Sequence, residues 1–235
     1  MNNSPVLTVT LNPAIDKSTT TGRIKAESKQ RCAEILHEPG GGGINVSKAL
    51  KKLSLGSVAL FPAGGHNGEM LKELLTKEGI LFHSINSVEE TRENWVVLET
   101  ETNTQLRFTF PGRTIGEQVL KDLIEDIRSF SPEYVVSSGS LPPGLPDYFY
   151  GLIVKTARAV GAKCIVDTSG PALQALKGKH AFLIKPNISE LSRMLNIPQL
   201  DKGEVPDAAQ QAVRDGFAWM DRRHEFRIVR LTSLG

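Results

Sequence analysis

Residues 36–50, LHEPGGGGINVSKAL, place four consecutive glycines directly before a stretch with helical spacing. An ordered glycine loses more backbone entropy than any other residue, so such a run costs stability unless its dihedrals or missing side chains are needed. Downstream, Ile44, Val46, Ala49, Leu50 and Leu53 fall on one helical face. Upstream lies the strand-like EILHE, so the glycines form a strand-to-helix turn. Amides at a helix start point outward with partial positive charge, and bare backbone lets a ligand come close. No Gly-Lys-Ser/Thr follows, which excludes a Walker A loop, and the preceding strand is too polar for a clean dinucleotide fingerprint. From the glycines alone, a tight turn under a close-packed helix and a ligand cradle are equally good readings.

Working outward, strands and helices alternate. VLTVTL at 6–11 and VALF at 58–61 read as buried strands, followed by a helix near 69–77 and a strand near 80–85. The alternation resumes with a helix at 117–130, a strand at 134–137, a helix at 147–160 and a strand at 163–166. A short helix, a strand at 182–184 and a helix at 188–195 complete it. This rhythm predicts a parallel sheet covered on both faces. Residues 17–38 and 92–110 do not share it. They are polar β segments, the second a hairpin turning at Thr102-Asn103-Thr104, and are expected to pair as a small separate sheet. After Gly216 the chain is rich in arginine and aromatics, with one strand-like run at 228–231, where an α/β domain is expected to continue.

The composition is that of an ordinary soluble globular chain: 235 residues, 40% hydrophobic, 23% charged, formal net charge +2. Near-neutrality gives no reason to expect nucleic acid or an anionic membrane as partner. No apolar stretch is long enough to span a bilayer. Cys32 and Cys164 fit no metal spacing and read as reduced thiols of a cytoplasmic protein.

Three polar turns follow strands. Asp16, in LNPAID after the first strand, can accept hydrogen bonds from sugar hydroxyls or form an Asx-turn. SSGSLPPG at 137–144 is a small-residue turn whose Ser138 and Ser140 lack a nearby candidate base, which argues against a hydrolase triad. In KPNISEL at 185–191, Lys185, Asn187 and Glu190 suit phosphate and hydrated Mg²⁺, although Asn187 and Glu190 also have the spacing of a capping box. Asn45 can bind a hydroxyl or cap its helix. Lys29 and Arg92 lie in the polar β segments and become phosphate contacts if those segments cover the strand ends. The five histidines show no ligand spacing.

Taken in order and spacing, TLNPAID, EPGGGGINVSKAL, FPAGGHNGE, SSGSLPPG and KPNISEL resemble the ribokinase/PfkB sugar kinases over residues 6–215. GGGGIN, SKQRC and TREN favour the ribokinase-type 6-phosphofructokinases within that family. 1-Phosphofructokinases and tagatose-6-phosphate kinases are the alternatives. The resemblance implies a three-layer α/β/α fold over 1–235, with the segments 17–38 and 92–110 inserted as a β lid that also forms a homodimer interface. It implies transfer of a phosphoryl group from MgATP to a sugar phosphate, fructose 6-phosphate giving fructose 1,6-bisphosphate. Asp16, Gly41, Gly42, Gly43 and Asn45 would hold sugar hydroxyls against bare backbone. Arg92 and Ser140 would contact the substrate, Arg92 through its phosphate. Lys29 would reach ATP, across the dimer. Lys185 and Asn187 would meet the nucleotide phosphates, Asn187 with Glu190 would position Mg²⁺, and Ser233 and Gly235, in LTSLG, would lie near the adenine. The family's Gly-Ala-Gly-Asp turn, source of its general base, is absent from these residues. The expectation is therefore a fold incomplete at its C-terminus, by truncation or a shifted frame after about residue 216, and a sugar-phosphate-binding relic is the non-enzymatic alternative. An NAD-dependent enzyme is disfavoured, because the glycines follow no core strand.

Overall fold

The computed structural model describes residues 5–217. Two sheets organise the chain. The larger is assembled from β1 (Val6–Val9), β4 (Val58–Ala63), β5 (Phe82–Asn86), β8 (Tyr134–Ser138), β9 (Lys163–Asp167) and β10 (Leu183–Ile184), in the order β10-β9-β8-β1-β4-β5. Every neighbouring pair in it is parallel. Parallel strands must be covered on both faces, and the burial of β4 shows it, since all six of its residues are buried. Its alternation divides the core. Val58 and Leu60 join Leu7, Val9 and Val135 on one side, whereas Ala59, Phe61 and Ala63 face Ile44, Leu71 and Leu75 on the other.

The second side is covered by α1 (Gly42–Lys52) and α2 (Gly65–Lys77). The first is covered by α3 (Glu117–Phe130), α4 (Phe149–Ala159), α5 (Gly170–Gln174), α6 (Ile188–Met194) and α7 (Val205–Arg214). Helix α3 has the expected limits because Val119, Leu123, Ile124 and Ile127 form a clear buried stripe. Helix α2 begins at Gly65, four residues before the sequence-based start, because the Gly64-Gly65 turn already enters it. Helix α7 was not anticipated. Its buried stripe is Val205, Ala208 and Ala212, two of them residues too small to stand out as an apolar period.

The smaller sheet contains β2 (Ala14–Thr21), β3 (Leu36–Gly40), β6 (Arg92–Glu99) and β7 (Thr104–Thr109), ordered β3-β2-β6-β7. The expected hairpin is present as β6 and β7, and Asn103 in its turn has φ 54°. Residues 22–35, expected to be part of a β segment, are irregular between β2 and β3. The sheet starts earlier than the polar composition suggested, at Ala14, because alternation buries Ile15 in the α1/α2 core while Asp16 takes the opposite face. The strand-like run at 228–231 lies outside the described residues. Among the described residues, no helix is long and apolar enough to cross a membrane.

Candidate functional site

Strand order fixes where a ligand can sit. From β1 the chain moves to β4 and β5, then returns to β8 on the other side of β1. Ligands of open α/β sheets occupy the crevice beyond the strand ends at such a reversal. The glycine run lies there, between β3 of the small sheet and α1. Gly41 is the residue preceding the helix and has φ +121°, a conformation that side chains resist. A Cβ on Gly42 would stand 2.4 Å from Ser138 Oγ and 2.7 Å from Gly139 N, and one on Gly43 would stand 2.5 Å from Val9 O. The missing side chains therefore allow α1 to press against the ends of β1 and β8. Close packing of α1 against these strand ends is by itself a sufficient reason for glycine at Gly42 and Gly43, since protein already fills the space a Cβ would take. Thr10 Oγ1 accepts from Ile44 N at 2.9 Å, while the amides of Gly42 and Gly43 precede the first intrahelical bond.

Asn45 does not cap α1. The helix starts three residues earlier, no side chain caps it, and the exposed Asn45 gives only its backbone N–H to Gly41 O at 2.9 Å. Its amide group stands in the first turn, beside the crevice. The opposing turn is firmly held. Gly139, at φ +121°, donates its N–H to Asp167 O, and its carbonyl accepts from both Tyr150 Oη and Thr168 Oγ1, each at 2.9 Å. Burial pushes the Tyr150 hydroxyl well above the usual phenol range, so it remains a donor.

Across the crevice, hydrogen bonds connect the predicted sugar contacts. Asp16 lies within β2, not in a turn after the first strand as the Asx reading had it. Its Oδ1 accepts from Asn94 Nδ2 at 2.8 Å, and a Cβ on Gly40 would stand 2.3 Å from its Oδ2. Asn94 Oδ1 accepts from Arg92 Nη1 at 3.0 Å, and Arg92 also donates to Phe110 O at 3.0 Å and Asn12 O at 3.3 Å. Asn12 Nδ2 completes the chain by donating to Ser140 Oγ at 3.2 Å. Arg92 is half-buried; desolvation lowers its pKa, and the negative charge of Asp16 partly opposes that shift. Asp16, Arg92 and Ser140 thus belong to one network, in which Asn12 and Asn94 are links that sequence reasoning missed. Asn12 entered only as a letter of TLNPAID, and Asn94 only as a letter of TREN.

At the β9–β10 edge the arrangement is more local. Lys185 Nζ lies 3.2 Å from Asp167 Oδ1, and Ser138 Oγ donates to Asp167 Oδ2 at 3.3 Å. Asp167, at the end of β9, was also missed, because an acid ending a short strand carries no motif. Asn187 and Glu190 form the capping box of α6, with Glu190 N donating to Asn187 Oδ1 and Asn187 N to Glu190 Oε2, both at 2.8 Å. Their structural reading is thereby realised, with Asn187 exposed and Glu190 partly so. Among the described residues, no three His, Cys, Asp or Glu side chains form a metal cluster. Lys29 is exposed in the irregular 22–35 segment, and the hydrogen-bond network does not reach it. Ser233 and Gly235 lie outside the described residues.

Comparisons with known proteins add to this geometry. A profile described as pfkB family carbohydrate kinase matches residues 3–219. ATP-dependent 6-phosphofructokinase isozyme 2 of Escherichia coli (strain K12) is 39% identical over 215 residues, covering 91% of this chain and 70% of that protein. The protein of the same name from Mycobacterium tuberculosis (strain CDC 1551 / Oshkosh) is 35% identical over 232 residues, covering 98% of this chain and 66% of that protein. The crystal structure of phosphofructokinase-2 from Escherichia coli in complex with fructose-6-phosphate superposes with a TM-score of 0.86 at 37% identity, covering 92% of this chain and 72% of that one. This chain therefore spans about two thirds of the length of these relatives.

Proposed function

The chain belongs to the pfkB family of carbohydrate kinases, and from that premise we propose that it serves ATP-dependent phosphorylation of fructose 6-phosphate to fructose 1,6-bisphosphate. The observation that carries the reading is the network from Ser140 through Asn12, Arg92 and Asn94 to Asp16. It sets a carboxylate and a guanidinium on one face of the small sheet with the Asn94 amide between them, an arrangement suited to a substrate with hydroxyls at one end and phosphate at the other. Its relatives' names point to the same substrate.

In this reading Asp16, Asn45 and the Gly41–Gly43 amides orient the hydroxyls, and Arg92 with Ser140 receives the phosphorylated end. Lys185 and Asn187 meet the nucleotide, with Lys29 reaching it from a partner subunit. Magnesium binds through one or two carboxylates and substrate phosphates while keeping several waters. The partly exposed Glu190 and Asp167 carboxylates fit that demand, and the ion would screen phosphate charge during transfer. Phosphoryl transfer depends on positioning and electrostatics, and the anion hole and general base that the family resemblance expects belong to the Gly-Ala-Gly-Asp turn. Phosphosugar recognition accordingly falls to residues of this chain, and the general base to none of them. The exposed apolar side chains Leu36, Leu106, Phe108 and Phe110, on or beside the small sheet, suit it to pair with a second copy. The free thiols Cys32 and Cys164 agree with a cytoplasmic setting.

Calorimetry of the 235-residue chain with fructose 6-phosphate, fructose 1-phosphate and tagatose 6-phosphate tests recognition. Tightest binding of fructose 6-phosphate supports the reading, and preference for either of the others overturns the substrate assignment.

A further inference from the structure

We propose that Asn94 is a positioning residue that keeps Asp16 and Arg92 apart, so that both charges stay available to one ligand. Asn94 stands directly opposite Asp16 in the β2–β6 pair, and Arg92 is two residues away on the same strand face. Side chains on such a diagonal are within reach of a residue as long as arginine. Opposite charges so placed, in a half-buried setting, would ordinarily close into an ion pair. Here they do not. The guanidinium is engaged by Asn12 O, Phe110 O and Asn94 Oδ1, and Asp16 Oδ1 by Asn94 Nδ2.

The amide is suited to this place. It offers an acceptor to the cation and a donor to the anion at once, which no ionised side chain can do. Its orientation is fixed by the neighbours, since a flipped amide would set NH₂ against the guanidinium and oxygen against the carboxylate. Asp16 Oδ2, lying over the bare Gly40 backbone, is left for a hydroxyl. Arg92 Nη2 is left for a phosphate oxygen. A ligand entering the crevice therefore does not first have to break an Asp16–Arg92 bridge. The other charged groups on this face of the small sheet are Glu38, opposite Asp16, and Arg107, opposite Val96.

The inference rests on the phosphosugar reading for its ligand but not for its geometry, and the test separates the two. In ligand-free crystals of N94L, the Asp16 carboxylate and Arg92 guanidinium are expected to close to ion-pair distance. If they stay apart, the spacer role is wrong whatever the ligand. In calorimetry, N94L is expected to bind fructose 6-phosphate about 10- to 100-fold more weakly, the value of hydrogen bonds to charged groups, while its melting curve stays near that of the original chain. N94D supplies a nearly isosteric control. Two adjacent carboxylates cannot both ionise easily, so one takes up a proton. When protonated, the introduced carboxyl can donate to Asp16 and accept from Arg92 as the amide does; when ionised, it cannot. N94D should therefore recover affinity on acidification, as one of the two adjacent carboxyls takes up a proton, beyond any change seen with Asn94. Unchanged affinity in N94L, or an N94D profile parallel to that of Asn94, overturns the inference. Closure of the ion pair in N94L, with no fructose 6-phosphate bound by the original chain, retains the spacer and removes the substrate.

Discussion

At the β1–β8 edge, polar side chains are joined across separate segments: Ser140 after β8, Asn12 after β1, Arg92 and Asn94 on β6, Asp16 on β2. At the β9–β10 edge, Asn187 and Glu190 bond to each other within one helical turn, and Lys185 reaches only to the neighbouring strand. The first edge is organised by tertiary structure before any ligand arrives. The second is organised by local turn chemistry, and the phosphate and magnesium contacts proposed for it would require Asn187 and Glu190 to leave or share their cap. Prior organisation lowers the cost of ordering on binding. The phosphosugar binding proposed for the first edge should therefore be sensitive to distant packing, and the nucleotide binding proposed for the second mainly to local changes.

The largest expected effect comes from Gly43→Ala, which drives a Cβ to 2.5 Å from Val9 O and 2.7 Å from Val9 C. Backbone cannot yield as a flexible side chain can, so a loss of about 3 kcal/mol is expected, read as a lowered denaturant midpoint. Binding at the first edge should weaken with it. Full stability in this variant would show that α1 is not pinned to β1 as described. Next is Asp16→Asn, which keeps the shape of the side chain but removes its charge. Fructose 6-phosphate should bind about 10- to 100-fold more weakly with the melting temperature nearly unchanged, and equal affinity would remove Asp16 from the site.

Asn187→Ala sharpens the contrast from the other side. Losing the cap should cost about 1 kcal/mol in thermal unfolding and leave phosphosugar affinity alone. A fall in affinity without a fall in stability would mean that the two edges are not separable. The smallest effect concerns acid. Glu93 is hydrogen-bonded by Lys17 and Trp95, which holds its carboxyl below the usual value of 4.5. A depressed folded pKa gives stabilisation that is complete above the ordinary value of 4.5 and is lost as pH falls through the lower folded value. Glu93→Gln should flatten the Trp95 fluorescence change in that acid window and leave neutral pH unaffected; an undiminished transition would assign the change to another group.

Much of this was legible in the sequence because it depends on short-range periodicity. The stripe in α3, the all-apolar VALF of β4 and the Thr102-Asn103-Thr104 turn announce their structures within a short span of chain. So did the motifs that carry the family resemblance. What misled was competition between local and distant partners for the same group. Asn45 and Asn187 both read from sequence as amides at a helix start, yet only Asn187 caps, because α1 begins at Gly42, after Gly41, before Asn45 is reached. Asn94 and Asp167 carried no signal, since their partners are 78 and 29 residues away.

The sequence by itself determined the family, the alternation of strands and helices, and the presence of two β segments foreign to that alternation, because those features are encoded by periodicity and turn chemistry along the chain. Only the tertiary structure decided that the glycines serve a close approach of α1 to β1 and β8, and that a neutral amide stands between Asp16 and Arg92. Contacts between segments far apart in sequence depend on strand order and register, which no local pattern specifies.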